Sequence, residues 1–110
     1  MEIVNVCEME QQEQARRVRS VFLNRTVLDC GHVRFDPHSV AHAGEEHRHK
    51  HDEVFVVLTG AIEVPGVGVA RTGDWIFVKA GEEHHLTNRT DLPCTVIYLI
   101  LSSNVKGNAT

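Results

Sequence analysis

The chain has 110 residues, 42% of them hydrophobic, which suits one domain built around one core. Its net charge of −4 and pI near 6.0 leave no basic patch, so no nucleic-acid partner is expected. No apolar run reaches the length of a membrane span. The acidic, polar start MEIVNVCEMEQQEQ has neither the basic beginning nor the apolar stretch of a signal peptide.

Residues 3–7 alternate weakly and predict a short strand. Residues 8–19 are rich in Glu, Gln, Ala and Arg and predict a helical turn or two. Val18, Phe22 and Val27 place the start of the first core strand near Val18. Val27–Phe35 reads as a further strand with one face inward, and Gly31 within it suggests a bulge. Asp36-Pro37-His38-Ser39 is a turn signal, and the small, polar residues 40–46 are expected to form a loop. A strand over 51–58 follows, ended by Thr59-Gly60. Ala61–Val64, a Pro-Gly turn at 65–68 and a return over 69–71 come next. Strands at Trp75–Val78, 84–88 and Cys94–Leu101 complete the pattern, with residues 103–110 as a flexible tail.

Many short strands separated by Gly and Pro turns predict an all-β sandwich or barrel. The runs at 54–58 and 96–101 are apolar on both faces. One face of each would look outward from a small barrel and need a second cover, so a homodimer is expected. Cys7, Cys30 and Cys94 are odd in number, widely spaced and without C-x-x-C pairs. They read as reduced thiols of a cytoplasmic protein rather than a disulfide framework or zinc ribbon, with Cys94 in the core.

The chemistry concentrates in two stretches. GEEHRHKHDEVFVVLTG, residues 44–60, places His47, His49, His51 and Glu53 at alternate positions. Alternate residues of a strand share a face, about 6–7 Å apart, and imidazoles with a carboxylate on one face suit a divalent transition metal. GDWIFVKAGEEHHLTN, residues 73–88, adds His84 and His85. The two stretches are expected to close on one metal site. His32, His38 and His42 read as scattered surface histidines.

Together these stretches resemble the cupin family. Its first motif is G-x5-H-x-H-x3,4-E-x6-G, and His47-x-His49-x3-Glu53-x6-Gly60 matches it, with the leading glycine displaced to Gly44. The second is G-x5-P-x-G-x2-H-x3-N, and Gly73-x5-Lys79-x-Gly81-x2-His84-x3-Asn88 matches it, with Lys79 where proline is usual. The resemblance implies a double-stranded β-helix, or jelly roll, with one cupin domain over 1–110 and residues 1–17 as an N-terminal extension. It implies that His47, His49, Glu53 and His84 hold a divalent ion (Fe, Mn, Ni, Cu, Co or Zn) in the barrel mouth. It passes over His51, which strand alternation places with the ligands and which is either a further ligand or a supporting residue at the rim. Asn88 is expected to support its loop by hydrogen bonds.

Three imidazoles and one carboxylate leave coordination positions open for water or a small molecule, a reactive arrangement rather than a closed structural one. A metal-dependent enzyme on a small-molecule substrate follows, either a dioxygenase-type oxygenase or an isomerase or lyase. No catalytic residue is singled out, and a non-catalytic small-molecule or metal sensor is the alternative. His85 is expected on the surface, Trp75 and Phe77 in the core, Tyr98 in packing or lining the pocket, and Arg34 facing a substrate if its strand face is inward.

Overall fold

A computed structural model describes residues 1–41, 50–82 and 85–103. Among the described residues, nine strands form two antiparallel sheets. They are β1 (Glu2–Val4), β2 (Val27–Phe35), β3 (Ser39–Ala41), β4 (Asp52–Thr59), β5 (Ala61–Val64), β6 (Gly68–Arg71), β7 (Trp75–Val78), β8 (Leu86–Asn88) and β9 (Cys94–Leu101). One sheet has the order β1-β7-β4-β9-β2 and the other β3-β8-β5-β6. This is the expected jelly roll. The expected bounds of β2, β5, β7 and β9 hold as read.

The core lies between the sheets. Phe55 and Val57 of β4, Ile76 and Val78 of β7, and Cys94 and Val96 of β9 face Ile62 and Val64 of β5, Ala70 of β6 and Leu86 of β8. The alternation in β5 and β7 is the period of two that a half-buried strand requires. The second motif ends in a locked turn. Buried Asn88 donates from Nδ2 to the carbonyls of Phe35 (3.2 Å) and Leu92 (2.8 Å), and its Oδ1 accepts from the Thr90 N–H (3.0 Å) and hydroxyl (2.8 Å). This is the loop support expected of it.

The N-terminal reading needs correction. Residues Gln11–Phe22 form a 12-residue helix, α1, so Val18 and Phe22 sit on a helix and not at the start of a strand. Ala15, Val18, Val21 and Phe22 make a narrow apolar stripe at helical spacing, hidden by eight polar neighbours in the same segment. The helix stops at Leu23, and Asn24 takes a left-handed φ of 60°. The N-terminal extension is woven into the fold, because β1 pairs with β7 through Ile3↔Ile76.

Helix α1 also changes the account of the second apolar face. Val21 is buried with Val54 and Leu101, and Phe22, Val56, Trp75, Phe77 and Leu99 pack around them. Phe22 meets Trp75 edge-to-face, with ring centroids 5.7 Å apart at 80°. Trp75 and Phe77 therefore lie beneath the helix on the outer face of the sheet, and Ile76 and Val78 occupy the barrel core in their place. Part of the cover expected from a second subunit comes from this chain itself.

Two further local readings differ. The register shift in β2 falls at Leu28, between the pairs Val27↔Leu101 and Asp29↔Ile100, and not at Gly31. Gly31 makes room for a ring: a Cβ there would lie 2.5 Å from Cε2 of Tyr98. Ser39, expected in the turn, and residues 40–41, expected in the loop, pair with β8 as β3.

Candidate metal centre

Glu53 is the first inward residue of β4. Its ladder neighbours are Val78 on β7 and Ile100 on β9, and Asp29 of β2 lies beyond Ile100 in the same row. Cross-strand neighbours share a face, so this carboxylate stands in a largely apolar row. It is 4% exposed, and burial pushes its pKa up to about 7. A carboxylate desolvated to that degree gains from a cation beside it.

His47, His49 and His84 lie outside the described residues, as does His42. Among the described residues, no group of three or more His, Cys, Asp or Glu side chains gathers as metal donors. Of the expected donor set, the structure therefore describes Glu53 alone. The observed part fits a divalent cation: a buried carboxylate of raised pKa, at the inner face of the barrel, directly after the histidine run. The chain bends at Lys50–His51 before β4 begins. His51 is half-buried, and its Nδ1 is enclosed without a hydrogen-bond partner among the described residues. His85 is half-buried too.

The next inward row holds Ile76, Phe55, Tyr98 and Gly31. The Tyr98 hydroxyl donates to Asp29 Oδ2 at 3.4 Å. The Asp29 carboxylate raises the phenol's pKa above its ordinary value, and the Glu53 carboxylate adds to the shift. Tyr98 thus faces the barrel interior at the end where Glu53 stands, as a pocket-lining position requires. Arg34 does not. It pairs with Thr95 on the outward side, is exposed, and has its Nε 3.3 Å from Asp36. Its alternation with Gly31 and Val33 fixed the face once their inward side was known. Cys94 is fully buried, and burial pushes its thiol up to about 11, as suits a core residue. Cys7 and Cys30 are exposed thiols.

The loop from Lys79 to Glu82 is held from two sides. Asp52 accepts the Ala80 N–H on Oδ1 (2.7 Å) and the Arg25 guanidinium on Oδ2 (2.7 Å). Glu82 accepts the Lys79 N–H on Oε1 (3.1 Å) and pairs with the Met1 amine through Oε2. That ion pair holds the Glu82 carboxyl below its usual range. The sequence marks neither carboxylate as a loop anchor: Glu82 reads there as a solvated loop charge, and Asp52 carries no reading at all.

Residues 31–100 match the model of the cupin domain family Cupin_2. The chain belongs to the cupin family. Solved structures agree on the fold. The CENP-C domain of Drosophila melanogaster superposes with a TM-score of 0.57 at 22% identity, over 68% of this cupin and 59% of that chain. A predicted oxalate decarboxylase from Thermotoga maritima gives 0.57 at 20% identity, over 76% and 72%. The Cupin_2 domain of an XRE-family transcriptional regulator from Enterobacter cloacae gives 0.57 at 19% identity, over 71% and 81%. This cupin therefore spans little more than half of the Drosophila chain's length. No curated protein matches its sequence. No helix among the described residues is long and apolar enough to cross a membrane.

Proposed function

We propose that this cupin holds one divalent transition metal through His47, His49, Glu53 and His84, and acts on a small molecule at the barrel mouth. The observation that carries the reading is Glu53, a 4% exposed carboxylate on the inner face, raised to about 7 by desolvation. When bound, the metal supplies a Lewis acid with open positions for substrate. Glu53 supplies the negative charge that three neutral imidazoles lack. Tyr98, braced by Asp29, offers a hydroxyl on the same interior wall. Phe55, Val78 and Ile100 shape an apolar floor that limits water around the reacting group.

An oxygenase and an isomerase or lyase both fit such a site, and so does a ligand sensor, because a fold of this kind hosts many chemistries. Elemental analysis of protein purified without chelator is expected to give about one equivalent of Fe, Mn, Ni, Co or Cu per chain. A protein with no metal, and none taken up on titration, would end this reading. A substrate screen under air and under nitrogen then separates the classes. Turnover only in air assigns an oxygenase, turnover in both an isomerase or lyase, and tight ligand binding without turnover a sensor.

A homodimer remains part of the proposal on narrower grounds. Leu23, Val27 and Leu28 are 45%, 44% and 50% exposed at the α1–β2 junction, and β2 is an edge strand of its sheet. A second copy covering them would remove both liabilities. Sedimentation at micromolar concentration is expected to give twice the 12.3 kDa chain mass, and a monomer would contradict it.

A further inference from the structure

The Lys79–Glu82 loop leads in sequence to His84, and it leaves β7 at Val78, whose ladder partner is Glu53. Its backbone geometry therefore bears on the distance between the two halves of the metal site. Asp52 sits at the joint. It immediately precedes Glu53, so its side chain points to the opposite side of the strand and does not compete for the ion. Both of its oxygens are used, one on the loop's Ala80 N–H and one on Arg25 from the α1–β2 connection. The Arg25 and Asp52 side chains are only 11% and 22% exposed, which sets this pair apart from the exposed ion pairs elsewhere on the chain. Glu82 adds a second tie by accepting the Lys79 N–H, a donor that proline would lack at that position.

We infer that Asp52 is a positioning residue for the metal site, clamping the second-motif loop to the first-motif strand through Ala80 and braced by Arg25. The inference rests on the metal reading given above. In this cupin, loop rigidity comes from two carboxylates caught on backbone N–H groups. The N-terminal segment takes part as well, since Arg25 and Met1 both reach this loop's anchors.

Co(II) titration followed by its visible absorption tests it. Asp52→Ala is expected to weaken Co(II) binding roughly 10–100-fold, the range for loss of a group that orients a ligand, and to change the band pattern. Asp52→Asn keeps an oxygen for Ala80 and should stay within a few-fold of wild type with the same spectrum. Phe22→Ala serves as the comparison, since it loosens the fold away from the loop and should leave affinity and spectrum unchanged. If Asp52→Ala strands the Arg25 charge and does not fold, Arg25→Met with Asp52→Ala removes both charges and keeps the readout. Wild-type affinity and spectrum in the alanine variant would overturn the clamp and leave the metal reading standing. A wild-type protein that takes up no Co(II) would instead overturn the metal reading, and the clamp's role with it.

Discussion

Replacing Glu53 with glutamine is expected to abolish tight metal binding and, in the same molecule, to raise the stability of the metal-free protein at pH 8. The two effects share one cause. Glu53 is 4% exposed between Val78 and Ile100, and desolvation lifts its pKa from 4.5 to about 7. The folded state therefore holds this proton more tightly than the unfolded chain does. Stability contributed by the neutral carboxyl is fully present below pH 4.5 and is lost as pH rises through about 7. Ionising the buried group without a cation costs on the order of 3 kcal/mol once the pH is well above 7. A neutral amide of the same shape escapes that cost. Chelator-treated Glu53→Gln should thus denature at higher urea concentration than chelator-treated wild type at pH 8, and the gap should close near pH 4.5. Metal binding should move the opposite way, weakening by more than the roughly 10–100-fold that loss of an outer hydrogen-bond partner costs. Unchanged metal content in the variant would remove Glu53 from the donor set. A gap in stability that does not depend on pH would remove desolvation as its cause.

The strands that flank this site were legible because each alternates against a single core. The Ala61–Val64 and Trp75–Val78 runs could be bounded by the turns beside them, and Asn88 declared its role through its place in the second motif. Which of two apolar faces looks inward was not legible. Trp75 and Phe77 are the larger pair on β7, yet they lie outside, because α1 gives them a cover that the sequence concealed among polar residues. Arg34 suffered from the same ambiguity. Gly31 was read as a bulge because glycine in a strand signals either a backbone irregularity or a close approach, and only the position of Tyr98 decides between them. The Asp52 clamp was beyond reach for a different reason. Its partners are a backbone N–H 28 residues on and a guanidinium 27 residues back, and no pattern of residue types marks a carboxylate that caps a distant loop. The motifs mark the proposed donor set, but nothing in them signals the contacts that Asp52 makes to Ala80 and Arg25.

Gly60→Ala is expected to destabilise the protein by about 3 kcal/mol, roughly 13 °C in Tm. Gly60 follows β4 at the end of the barrel away from Glu53. Its φ of 82° is in the left-handed region, where an L side chain costs about 1–2 kcal/mol. Space is the second problem. An added Cβ would lie 2.7 Å from the Pro93 carbonyl oxygen and 3.0 Å from Cys94 Cα. Both are backbone atoms, and neither can give way easily. Cys94 is fully buried opposite Phe35, and the loop before it is fastened by Asn88, which holds the Phe35 and Leu92 carbonyls. Overpacking against so fixed a surface costs a further 1–3 kcal/mol or so. Gly66→Ala isolates the first term, because Gly66 has nearly the same φ, 81°, and no atom within 4 Å of the added Cβ. It should lose only about 1 kcal/mol. Thermal melts of the two variants then measure the packing of the closed end directly. Equal losses would mean that the Pro93–Cys94 backbone yields, and that the first motif's closing glycine serves its turn angle alone. A larger loss at Gly60 would show that it also lets the β4–β5 turn seat against the start of β9, fixing the far end of the strand that carries Glu53.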